Sequence, residues 1–190
     1  MKKEIETNIY NHEKAISITQ MSLMIAIICL ATMVIKIPTL MSIGYVHLGD
    51  SMVFLAAILF GKKKGMITAG IGMCLADILS GYAYYAPFTF VIKAVMALIA
   101  ASIAYRGDFK GKNTLNNLFA FVISGIWMVF GYFIAKIFLV KFVLFKADSF
   151  TEALTIGLAS IPDNIGQAAV GMLIALPLIK LLHNRLKIVK

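Results

Sequence analysis

Hydrophobic positions gather into six runs, at about 15–35, 50–60, 66–80, 87–105, 117–140 and 160–183, parted by short polar stretches. A helix that crosses a bilayer needs about 20 mostly apolar residues, so a chain of 190 residues has room for six spans and little else. The second and third runs are short. Between them stands Gly61-Lys62-Lys63-Lys64-Gly65, which cannot remain in hydrocarbon and predicts a tight turn at a water interface joining two antiparallel spans. Short spans are tolerated where flanking backbone dips into the protein and lines a cavity. The stretch 36–50, rich in Pro, Gly and polar residues, is therefore a candidate re-entrant or binding loop.

Composition agrees with this pattern. Hydrophobic residues make up 61% and charged residues 14% of the chain, against about 45–50% and about 25% in soluble domains. The predicted fold is an all-α integral membrane protein of one domain. It comprises a polar segment over 1–14, a six-helix core over 15–183 and a basic tail over 184–190. The first apolar run is too long for a signal-peptide core and is read as a retained helix. A net charge of +9 would suit nucleic acid, but the basic residues form no continuous stripe or stacking platform, so nucleic acid is not an expected partner.

Lys and Arg also predict orientation, because translocated short loops are depleted in them. One side would hold Lys2, Lys3, Lys14, the lysine turn, Arg106, Lys110, Lys112, Lys180, Arg185, Lys187 and Lys190, and the other Lys36, Lys141 and Lys146. Both termini would then be cytoplasmic, with outer connections over 36–50, 81–87 and 141–160. In the last of these, Ser149-Phe150-Thr151-Glu152 is a capping-box pattern. It predicts a short outer helix that ends near Gly157, before a final span opening around Ser160 and Pro162, where a first-turn proline is harmless.

Ionisable groups in a span cost about 2.5–3.5 kcal/mol each on insertion scales and call for a partner, water or a function. Asp77 near the outer end of the third span and Lys93 inside the fourth fall at similar depth, close enough for an ion pair. Asp163, Asn164 and Gln167 open the sixth span, the latter two on one face, and His47 and Asp50 stand where the first outer loop enters the second span. Costly polar groups from several segments thus meet in the outer third. Tyr45, Tyr82, Tyr84 and Tyr85 lie at that level and would suit the walls of a pocket for a flat heterocycle. Each also has a plainer role: tyrosines in an interfacial belt, Asp77 and Lys93 as a structural pair, Asn164 and Gln167 as interhelical glue, His47 as a loop histidine. Trp127 is expected to pack, and Lys136 to snorkel outward.

Small residues four apart, Ser22 with Ala26 and Gly171 with Ala175, allow close helix approach, either inside the protein or against a partner. No phosphate loop, HExxH, Gly-x-Ser-x-Gly or Cys/His metal set occurs in the chain, and Cys29 and Cys74 sit in apolar runs. Neither an ATPase nor another enzyme is expected, nor a cofactor or metal. No internal repeat of the kind common in self-sufficient transporters is present.

Five motifs carry a family resemblance: Gly44-Tyr45-Val46-His47-Leu48-Gly49-Asp50, the Gly61 to Gly65 turn, Ala76-Asp77-Ile78-Leu79-Ser80-Gly81-Tyr82, Lys93, and Ile161-Pro162-Asp163-Asn164-Ile165-Gly166-Gln167. Together they resemble the substrate-binding S component of an energy-coupling factor (ECF) vitamin transporter, over nearly the whole chain. The resemblance implies six membrane helices and a vitamin or precursor bound under the first outer loop. Its implied partners are a transmembrane T component with two cytoplasmic ATPases, on which the S component topples to release its cargo. An Ala-x-x-x-Ala pattern of the family maps onto Ser22 and Ala26 as the T-component contact, with serine departing from alanine. The Gly-Tyr-x-His-Leu-Gly-Asp loop is similar to the branch of riboflavin, hydroxymethylpyrimidine and pyridoxine carriers; pantothenate, thiazole and queuosine-precursor carriers stay open. Asp50, Tyr84, Tyr85, Lys93, Asn164 and Gln167 are expected to touch a pyridoxine-like or pyrimidine ligand, with His47 and Asp77 shaping the site. The alternatives are a stand-alone transporter or channel, an intramembrane enzyme and a purely structural subunit.

Overall fold

The lysine turn breaks a long helix in two. In the computed structural model, which describes the backbone of residues 2–34, 36–38 and 45–186 and the side chains within 9–34 and 47–183, helix α2 runs over Gly49–Leu79 but is interrupted at Gly61, with φ of 70°. That left-handed conformation is open to glycine at no steric cost. A Cβ placed on Gly65 would lie 3.0 Å from the backbone of Ala56 and Ala57, whereas eight or nine residues along a straight helix span about 12 Å or more. The two arms of α2 therefore fold back on one another. Lys187, Lys190 and Gly44, and the side chains of Lys2, Lys3, Lys36, Tyr45 and Arg185, lie outside the described residues.

Before α2, helix α1 spans Lys2–Val34, and two short strands follow, β1 at Lys36–Pro38 and β2 at Tyr45–His47. They pair antiparallel, with Lys36 opposite His47 and Pro38 opposite Tyr45. Helix α1 thus continues through the polar segment that the sequence separates from the membrane core, because nothing in 1–14 breaks a helix. The stretch 36–50, expected as a re-entrant or binding loop, carries a two-stranded ladder that returns the chain to α2.

Helix α3 covers Ala86–Ala104, with Pro87 in its first turn. Helix α4 runs from Thr114 to Phe138 and is prolonged by a π-helical turn at Leu139–Val143. At the start of α5, Phe150–Ala159, Ser149 Oγ accepts from the Glu152 amide at 3.1 Å and Glu152 accepts from the Asp148 amide at 2.8 Å. Helix α5 passes Gly157 and stops at Ala159, one residue before α6, Ile161–Leu186.

Helix α2 packs on α1, α3 and α6, and α4 packs on α3 and α6. Hydrocarbon gives apolar helices no reason to associate, so close backbone packing must hold them. Alanines supply it on α3, where Ala94, Ala97, Ala100, Ala101 and Ala104 are buried. Phe54 of α2 stacks on Phe121 of α4 with ring centroids 4.2 Å apart at the centre of the core. Conversely, large apolar side chains such as Leu23, Ile126, Leu173 and Leu181 point outward. Among the described residues, four stretches are long and apolar enough to cross a membrane: Ile9–Val34, Ala86–Ala104, Thr114–Val143 and Phe150–His183. The protein is an α-helical, multi-pass membrane protein.

Candidate functional site

Three segments distant in sequence bring polar side chains to one buried point. Strand β2 ends on His47, and the turn into α2 is tightened by Ser51, whose hydroxyl and amide both donate to the Leu48 carbonyl, at 2.5 and 3.1 Å. Asp50 follows in the first turn of α2, where the positive end of the helix dipole favours a carboxylate. Helix α3 carries Lys93 two turns from its start, and α6 carries Gln167 at comparable depth.

Lys93 and Asp50 form an ion pair with both side chains fully buried. Gln167 donates from Nε2 to the second Asp50 oxygen at 3.0 Å, and the same atom lies 3.0 Å from His47 Nε2. The imidazole is held from its other side by the Gly49 amide, which donates to Nδ1 at 3.2 Å. Both carboxylate oxygens are thus engaged. Close approach makes this possible: a Cβ on Gly171 would come within 3.0 Å of Asp50 Cβ and 3.3 Å of the Phe54 ring, so glycine there lets α6 bring Gln167 against α2.

Helix α4 completes the surroundings of the ammonium. Met128 Sδ lies 2.9 Å from Lys93 Nζ, and the Tyr132 ring, one turn along, presents its face at 5.2 Å, a cation–π distance. The Tyr132 hydroxyl and Thr89 on α3 share a hydrogen bond of 3.2 Å. Trp127 does more than pack, since its indole N–H donates to the Ile92 carbonyl at 3.1 Å. Met128, Tyr132 and Thr89 escaped the sequence reading, although a tyrosine inside an apolar run, whose hydroxyl needs a partner, was a usable signal.

The sequence allows Lys93 an ion pair with Asp77; in the structure its partner is Asp50, because α2 doubles back and sets its first turn beside α3. Asp77 lies farther off, within electrostatic reach of Lys93, Tyr85 and Tyr132. Tyr84 and Tyr85 fall in the loop between α2 and α3, with ring centroids 5.2 Å apart, and Tyr82 stands 6.2 Å from Tyr84. Lys136 turns toward this group, its ammonium 5.9 Å from the Tyr85 ring centre. Asn164 shares a helix with Gln167 but does not join the cluster: its amide donates to the Ser160 carbonyl at 2.9 Å, serving the start of its own helix. Ser22 and Ala26 are exposed on α1, whereas Ala175 is buried.

A cavity of about 580 Å³ between α4, α5 and α6 is lined by apolar residues such as Ile126, Phe130, Ile165 and Met172. It offers no polar group for recognition. The buried quartet of Asp50, Lys93, Gln167 and His47 does, with donors and acceptors set among aromatic faces, as small-molecule sites require.

Comparison with known proteins agrees with the motifs. A protein of Pyrococcus woesei described as "Uncharacterized protein in gap 3'region" is 37% identical over 105 residues, 55% of this chain and 68% of that relative. The family described as "ECF-type riboflavin transporter, S component" matches residues 13–184. With the match running across α1 to α6 and through every residue of the buried quartet, the chain belongs to this S-component family, the membrane-embedded substrate-binding subunits of ECF transporters.

Proposed function

We propose that the chain captures a compact, ring-shaped vitamin or vitamin precursor outside a prokaryotic cell and delivers it to a T component bearing two ATPase subunits. In this reading the two arms of α2 count as separate spans, giving six, and both termini are cytoplasmic. The charge distribution supports it: Lys62, Lys63, Lys64, Arg106, Lys110, Lys112 and Lys180 belong to connections and helix ends on the side opposite the quartet, as short cytoplasmic connections require. The β1–β2 ladder, the tyrosine loop and α5 then form the outer rim.

The observation that carries this reading is the fully buried Lys93–Asp50 pair, with Gln167 donating to Asp50 and lying against His47. Helix association alone does not call for such a pair, since an apolar pair of similar volume is often neutral or better for stability. Ionisable groups at this depth are functional by default. A solute with a ring nitrogen and hydroxyl groups exchanges internal bonds for its own. Lys93 and the Gln167 amide offer donors, Asp50 an acceptor, and Tyr84, Tyr85 and Tyr132 ring faces. Asp77 adds negative charge at the rim and Asn164 stands half-buried near it. Pyridoxine-like and hydroxymethylpyrimidine-like solutes suit this arrangement. Riboflavin, the substrate in the family's description, offers similar groups on a larger frame.

Calorimetric titration of the reconstituted chain with pyridoxine, hydroxymethylpyrimidine and riboflavin tests the proposal. Binding of one, abolished by Lys93→Met, supports it. Undiminished binding by Lys93→Met removes the quartet as the site.

A further inference from the structure

The end of the bundle opposite the quartet has a polar recess of its own. A cavity of about 190 Å³ lies between the start of α4 and the last turns of α6, and its polar lining comprises Lys112, Thr114, Asn117, Lys180 and His183. Lys180 and His183 are three apart and share a helix face. Lys112 comes from the connection preceding α4, and its charge reaches the His183 imidazole. Among the described residues no carboxylate lies within ion-pair range of any of the three. Three basic groups therefore converge on one small volume, with no counter-charge among the described residues.

Two further features add to this. Asn113 caps α4 by accepting from the Asn116 amide at 2.9 Å; the earlier amides of that turn have no partner within the helix, and the dipole there is positive. Asn117 is 2% exposed. Its Nδ2 donates to the Gly111 carbonyl at 2.7 Å, which fixes the orientation of the amide and leaves Oδ1 without a hydrogen-bond partner. The cavity wall thus combines surplus positive charge with an acceptor that a hydroxyl would satisfy. The recess has room for a phosphate and a few attached atoms.

We propose that this recess binds a phosphate group, held by Lys112, Lys180 and His183 at the amino end of α4, in a bearer that presents a hydroxyl beside it. The bearer is either the headgroup of an anionic lipid or a soluble phosphate. This site is separate from the quartet, and the proposal does not rest on the vitamin-binding reading.

Native mass spectrometry of the protein taken from phosphatidylcholine vesicles with and without phosphatidylglycerol distinguishes the sources. Thermal unfolding with and without inorganic phosphate is measured alongside. The lysines on the cavity rim are exposed, so Lys112→Ala/Lys180→Ala is expected to fold. The control, Lys62→Ala/Lys63→Ala, removes equal charge away from the cavity. Losing two charge-assisted hydrogen bonds to the phosphate, the cavity variant is expected to retain roughly 150-fold less phosphatidylglycerol, the equivalent of about 3 kcal/mol. The control should retain it normally, and an arginine pair at the two cavity positions should restore it. Stabilisation by inorganic phosphate that the cavity variant loses, without preference for phosphatidylglycerol, supports the site with a soluble bearer. Equal loss in both lysine variants, or no response to either probe, overturns the proposal.

Discussion

Replacing Lys93 by methionine strands the Asp50 carboxylate. The change keeps side-chain length but removes the cation, leaving a fully buried charge with Gln167 as its remaining side-chain donor at 3.0 Å. Breaking a buried ion pair from one side costs about 3–5 kcal/mol, and a chain of this size shifts its midpoint by about 2–4 °C per kcal/mol. Lys93→Met is therefore expected to lower the unfolding temperature by roughly 6–20 °C. Adding Asp50→Asn removes the stranded charge while preserving shape and an acceptor for Gln167. Since apolar replacement of a buried pair is close to neutral, the double variant should return to within about 3 °C of the parent. The chain's sole tryptophan is a suitable reporter: Trp127 bonds to the Ile92 carbonyl beside Lys93, and its neighbour Met128 touches the ammonium. Thermal unfolding in lipid nanodiscs, followed by Trp127 emission, reads all three proteins. A Lys93→Met protein as stable as the parent, or a double variant less stable than the single one, would refute the account of the pair.

Gln167→Leu removes a charge-assisted hydrogen bond, worth about 1.5–3 kcal/mol, and should weaken ligand binding roughly 10- to 150-fold in titration, whereas Asn164→Ala, whose lost bond lies within its own helix, should change it less than about threefold. Gly171→Val drives a side chain into Asp50 and Phe54; overpacking of this kind costs about 1–3 kcal/mol, so thermal unfolding should show a loss and binding should weaken with it. Ala26→Leu enlarges an exposed position on α1. Thermal stability and ligand binding should persist, while co-purification with the T component and ATP-driven uptake fall, and normal co-purification would remove Ser22 and Ala26 as the docking face.

The membrane class was legible in the apolar runs, and so was the position of the lysine turn, because a block of charges cannot lie in hydrocarbon. Convergence of His47, Asp50, Lys93 and Gln167 was legible too, since each stands near the same end of its run. What the pattern left open was which partner each would choose. Depth along a helix follows from residue counting, but azimuth does not: Asp77 and Asp50 lie at similar depths, and only the packing of the folded-back α2 against α3 selects Asp50 for Lys93. The same limit applies to Asn164, which shares a helix face with Gln167 yet finds a nearer acceptor in the Ser160 carbonyl. The role of Met128 and Tyr132 depends on the rotation of α4 about its axis, for which an apolar run gives no phase.

Whether the quartet holds the transported molecule is isolated by the double variant Asp50→Asn/Lys93→Met, expected to fold like the parent. Small molecules released from both purified proteins on denaturation should be identified by mass spectrometry. A single heterocyclic compound, stoichiometric with the parent chain and absent from the variant, is expected. Equal amounts of the same compound from both proteins would contradict binding at the quartet.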